Sequence, residues 1–179
     1  MRPFATTSTP GRAFRPVLET ITPAMAASLK EVRLAALQEA PGAFGSTYAE
    51  ESQLSEADWV KRASAMSLNG AVGYLILDEE RPCGIVRGNL DAANPLRAHV
   101  ASMWVAPEYR RAGVASKLLT AVQSWATRSG ADELLLMVTN NNEAAISFYI
   151  RHGFQVTGRT EPYPNDPALF EIEMMKCLP

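Results

Sequence analysis

The chain has 179 residues, 47% of them hydrophobic, which suits one continuous core of ordinary domain size. Its 17 basic and 19 acidic side chains leave a formal charge of -2 without a long run of either sign, which argues against a nucleic-acid partner. Two distant cysteines, Cys83 and Cys177, fit neither a disulfide scaffold nor a zinc site, and no apolar run reaches membrane-spanning length, so a cytoplasmic protein with no membrane partner and no metal is expected.

Residues 1–12 are rich in Thr, Pro and Ser and read as a flexible N-terminal tail, which leaves 13–179 as a single domain. Residues 14–19 then read as a short strand. Thr22-Pro23 supplies an N-cap and a first-turn proline for a helix over 23–39, in which Met25, Leu29, Val32 and Ala36 share one face. Pro41-Gly42 ends it, and 43–51 reads as irregular or briefly helical.

Ser55-Glu56-Ala57-Asp58 has the form of a capping box and opens a second helix toward Leu68. Residues 71–77 and 84–90 read as an antiparallel hairpin across 78–82, and 98–105 as the next strand, stopped by Pro107. A helix over 113–128, a buried strand over 133–138, a helix over 142–152 closed by Gly153, and strands over 154–159 and 169–176 complete the chain. Consecutive strands mixed with strand-helix alternation predict an α/β (α+β) fold: a mixed, mostly antiparallel sheet of about seven strands flanked by four helices.

The most informative segment is Val105-Ala106-Pro107-Glu108-Tyr109-Arg110-Arg111-Ala112-Gly113-Val114-Ala115, a strand end and a small-residue loop running into a helix. The first turn of a helix leaves amide N–H groups unpaired at the positive end of its dipole, and small residues let a diphosphate approach them. Arg110 and Arg111 add positive charge beside the loop, and at least one of them should reach a phosphate. The segment lacks the lysine of a P-loop and the three glycines of a dinucleotide-binding turn.

Arg110-x-x-Gly113-x-Ala115 resembles the signature of the GNAT superfamily of N-acetyltransferases. A second motif of that superfamily follows in order: Asn142-x-x-Ala145-Ile146-x-Phe148-Tyr149 with Gly153-Phe154. The resemblance implies a sheet splayed between the two strands that flank the CoA-binding helix. It implies acetyl-CoA as co-substrate, with the backbone of Met103, Trp104 and Val105 pairing with its pantetheine arm. The pyrophosphate is then expected over the amides of Arg111, Ala112, Gly113, Val114, Ala115 and Ser116, and Asn142 on the cofactor arm.

Tyr149 matches the tyrosine that protonates the leaving thiolate in many similar proteins, although its apolar helix face also suits a structural role. An alkylamine with a pKa of about 10.4 must lose a proton before it attacks a thioester. Several similar proteins use a strand glutamate for this where Met137 stands here. Histone-acetylating members carry one six residues before the valine that ends the earlier strand, where this chain has His99, so His99 is the candidate base, with a packing role as its alternative.

The same resemblance builds the acceptor site from residues 41–55 and 160–168. Glu50, Glu51, Glu56 and Asp58 would favour a cationic amine or would form a solvated helix edge, and Tyr163, Pro164, Asn165 and Asp166 would form a rim or an ordinary turn. The implied activity is acetylation of a primary amine of a small molecule, whether an amino acid, a polyamine, an antibiotic or a protein N-terminus. The alternative is a CoA-binding regulatory module without turnover. A homodimer is a further expectation of the resemblance.

Overall fold

The computed structural model describes residues 14–179, so the segment read as a tail lies outside the described residues. Seven strands form one sheet in the order β1-β2-β3-β4-β5-β7-β6: β1 (Pro16–Thr20), β2 (Ala71–Asp78), β3 (Arg81–Leu90), β4 (Arg97–Val105), β5 (Glu133–Thr139), β6 (Gln155–Pro162) and β7 (Phe170–Cys177). Every neighbouring pair is antiparallel except β4 and β5. The mixed, mostly antiparallel sheet is therefore as expected.

Among the described residues five α-helices cover it: α1 (Ala26–Glu39), α2 (Tyr48–Glu51), α3 (Glu56–Ala65), α4 (Val114–Arg128) and α5 (Glu143–Arg151). Four match the expected helices, and α2 is a single turn. Its cap went unread in the sequence: Thr47 and Glu50 form a capping box, as Ser55 and Asp58 do at α3. Thr22 makes no side-chain cap, and Pro23–Met25 is a 3-10 turn that leads into α1. The hairpin loop is shorter than expected because Glu79 takes a φ of +59°, which closes β2 onto β3 within two residues.

Two apolar cores lie on opposite faces of the sheet. Val86, Ala98, Val100, Leu134, Leu136 and Met174 pack with α4 and with Tyr149 of α5 on one face. Leu75, Ile85 and Trp104 pack with α1, α3 and Phe44 on the other. Strand alternation thereby assigns each residue of the central strands to the α4 side or the α1 side.

Candidate functional site

β4 and β5 run parallel but pair only at Arg97↔Glu133, Ala98↔Leu134 and His99↔Leu135. Beyond His99 they separate. The cause lies in β4: Ser102 has a φ of +55°, and the register against β3 jumps from Arg87↔Ala101 to Ile85↔Trp104, so β4 carries one extra residue there. Such a bulge bends the strand and increases its twist.

The resulting cleft passes through the sheet. On the α4 side it is lined by Val100, Met103, Leu136, Val138, Asn142, Ala145 and Tyr149. Ala101, Met137 and Thr139 alternate with these along the strands and face the α1 side, where Ala43 and Phe44 complete the lining. Met103, Tyr149 and Asn142, separate in sequence, thus meet at one opening.

Tyr149 is buried between Phe148 and Phe154, with ring centroids at 5.3 and 5.5 Å. Its hydroxyl forms no hydrogen bond among the described residues, and burial pushes its pKa well above the ordinary phenol value. It therefore stays protonated and presents a donor to the cleft. Asn142 caps α5 by accepting from the Ala145 amide at 3.2 Å, which leaves its side-chain NH2 available.

The loop after β4 reaches α4 through two left-handed residues, Arg111 (φ +64°) and Gly113 (φ +79°). A Cβ on Gly113 would meet nothing within 4 Å, so its dihedral, and not crowding, asks for glycine. The first bond into α4 runs from the Lys117 amide to the Gly113 carbonyl, which leaves the amides of Val114, Ala115 and Ser116 without a backbone partner in the first turn. Ser116 is itself tied to α5, with its Oγ 3.0 Å from His152 Nε2, while His152 Nδ1 lies 2.8 Å from the Phe148 carbonyl.

The two arginines of this loop have different surroundings. Arg110 donates to Glu39 Oε2 at 2.6 Å and to the Val105 carbonyl at 3.0 Å, and Trp104 Nε1 donates to the same Glu39 oxygen at 2.9 Å. Its guanidinium thus pins the loop to the end of α1. Arg111 is exposed, with no ion pair among the described residues. The Trp104 side chain packs in the α1-side core and is not part of the cleft lining.

His99 follows the same alternation as Ala101 and lies on the α1 side, one step toward the closed end of the cleft. Its Nε2 is 3.0 Å from Asp91 Oδ2. The His99 bond, helped by the amides of Ala93 and Asn94, holds the Asp91 carboxyl at about 2. An ionised Asp91 accepts from Nε2–H and leaves the Nδ1 lone pair free. The sequence reading missed Asp91 as a partner.

The expected acceptor segments do meet. Tyr163 donates to the Phe44 carbonyl at 2.6 Å, and Asn165 Nδ2 donates to the same oxygen at 3.1 Å. The acidic cluster has internal uses instead of facing a ligand. Glu50 and Asp58 are caps, and Glu56 pairs with Lys30. Glu51 is buried with Arg33, Ser46 and Arg62; burial alone would raise its pKa, and these partners bring it below the usual value.

On the far side of the α1-side opening stand Glu171 and Glu173, which pair in register with the cleft residues Thr139 and Met137. Glu173 accepts from Thr157 and pairs with Arg159. Glu171 has no such partner among the described residues, and burial, followed by Glu161, raises its pKa. No sequence motif pointed to it. Among the described residues no cluster of His, Cys, Asp and Glu is placed to hold a metal, and no helix is long and apolar enough to cross a membrane.

Comparison with known proteins agrees with this architecture. The acetyltransferase of the GNAT family from Streptococcus pneumoniae superposes with a TM-score of 0.79 at 19% identity, covering 92% of this chain and 100% of that one. The acetyltransferase yncA from Salmonella typhimurium, solved with acetyl-CoA, gives 0.76 at 17% identity, with coverage of 92% and 95%. N-alpha-acetyltransferase 30 of Schizosaccharomyces pombe is 36% identical over 83 residues, 45% of this chain and 55% of the relative, so the match spans only about half of that protein. The model of the acetyltransferase (GNAT) family matches residues 33–154, and the chain belongs to that family of acyltransferases.

Proposed function

We propose that the protein transfers the acetyl group of acetyl-CoA to the primary amine of a small molecule by direct attack of the amine on the thioester. The observation that carries this reading is the cleft through the sheet, with Tyr149 and Asn142 at its α4-side opening and His99 on the face of its other opening. The solved relative with acetyl-CoA supports the same co-substrate.

The chain fits CoA in three respects. The β4 backbone beyond His99 lacks a β5 partner, the first turn of α4 offers free amides, and Arg111 stands beside them unpaired. Acetyl-CoA supplies the activated acyl group when bound. The protein residues orient it and move protons: His99, aligned by Asp91, accepts the ammonium proton directly or through a water, and Tyr149 donates to the departing sulfur. Ordered placement of amine and thioester supplies much of the acceleration.

The test is release of free CoA thiol across polyamines, amino acids, aminoglycosides and peptides with free N-termini, alongside calorimetric binding of CoA. The N-alpha-acetyltransferase relative is the reason to include peptides. Turnover with one class names the acceptor. CoA binding without turnover on any amine favours the regulatory module, and absence of CoA binding overturns the reading.

A further inference from the structure

Arg87 of β3 lies directly opposite Ala101, and Asn89 directly opposite His99. Directly paired residues share a face and stand about 4.5–5.5 Å apart. The neighbours of Arg87 confirm its side: Val86 belongs to the α4-side core, and a Cβ on Gly88 would strike Trp125 and Val122 of α4. Arg87 therefore projects to the α1 side, beside the cleft residue Ala101.

Its guanidinium is out of keeping with a structural arginine. Arg87 is half-buried, its Nε is fully buried without a hydrogen-bond partner, and no ion pair to it exists among the described residues. An unpartnered buried donor costs about 1–3 kcal/mol, and the two terminal nitrogens, which are not fully buried and have no partner among the described residues, are left for a ligand. Across the same opening, on β7, stands the unpaired carboxylate of Glu171 beside Thr139. Arg87 and Glu171 thus flank the opening from β3 and β7, each beside a lining residue and each without an ion pair among the described residues.

Building on the acetyltransferase reading above, we infer that the acceptor is a zwitterionic amino acid, its carboxylate bound by Arg87 and its ammonium group drawn toward Glu171. A guanidinium binds a carboxylate through paired, charge-assisted hydrogen bonds, a geometry that an uncharged amide or a simple amine cannot match. Arg87 is a specificity residue here. It takes no part in proton transfer.

The experiment compares free L-amino acids with their α-amides as acceptors, using alanine, leucine, phenylalanine and glutamate, on wild type, Arg87→Gln and Arg87→Lys. Wild type is expected to favour the acids at least tenfold in kcat/KM. Arg87→Gln should remove that preference by raising KM for the acids about tenfold while leaving the amides and acetyl-CoA unaffected, and Arg87→Lys should restore part of it. Equal activity on acid and amide in the wild type, or an equal loss on both in Arg87→Gln, overturns the inference.

A protein that turns over no amine defeats the acetyltransferase reading, yet the Arg87 site is still read by calorimetry with the N-acetyl derivatives of the same amino acids at saturating CoA. Binding to wild type that Arg87→Gln loses supports the site, and no binding to wild type overturns it. Arg87→Met serves as a folding control: with no native partner to lose, its melting temperature should equal or exceed that of the wild type.

Discussion

The Tyr163 hydroxyl donates to the Phe44 carbonyl at 2.6 Å, joining the β6–β7 connection to the segment after α1 across 119 residues of sequence. Phe44 also carries the Arg33 guanidinium 4.6 Å above its ring and lines the cleft. With Asn165 on the same oxygen, the β6–β7 connection holds one wall of the cleft.

Tyr163→Phe should remove that link and leave the Phe44 carbonyl to Asn165 alone. The expected loss of stability is about 1–2 kcal/mol, read by urea denaturation. Acceptor KM should rise while the affinity for CoA, measured by calorimetry, stays unchanged.

Tyr149→Phe removes only a hydroxyl that has no hydrogen-bond partner among the described residues, so the melting temperature should move little. As the donor to the leaving sulfur it should cost about 100-fold in kcat, within the range for a general acid. Unchanged kcat with unchanged stability would reduce Tyr149 to a packing residue.

Asp91 bears on acid stability. Its folded carboxyl is held at about 2, below the reference of about 3.9 for an unfolded chain. Its contribution is therefore complete above about pH 4 and is lost as pH falls through about 2. Asp91→Asn should flatten the stability profile in that window and, by loosening the His99 ring, lower kcat/KM severalfold. His99→Gln should lower kcat at least tenfold.

The paired arginines should separate in a salt titration. Arg111→Ala is expected to weaken CoA binding about threefold to tenfold and to make the affinity less dependent on ionic strength. Arg110→Ala breaks the Glu39 bridge, so its main effect should be a lower melting temperature. Equal salt slopes for both variants would mean that Arg110 also meets the phosphates.

The helical periodicity, the breakers and the two motifs made the elements and the mixed, mostly antiparallel sheet legible, because caps, glycines and apolar spacing are local features. The Ser102 bulge was not legible: nothing in Ala101-Ser102-Met103 marks a serine for a left-handed dihedral, which the surrounding packing imposes. Asp91, Glu171 and Arg87 were missed for a related reason. Each gains meaning only from a neighbour on another strand or turn: Asp91 from His99, Glu171 from Thr139, Arg87 from Ala101. The acidic run at 50–58 left a ligand-facing and a structural reading open, and capping geometry and a buried ion pair use those charges internally.

The three register pairs between β4 and β5 divide the sheet into two halves hinged at His99, with Arg87 and His99 on one and Thr139 and Glu171 on the other. On the acetyltransferase reading a cofactor lying between the halves would set their separation, so acetyl-CoA is expected to bind before the acceptor, and product-inhibition kinetics should find free CoA competitive with acetyl-CoA alone.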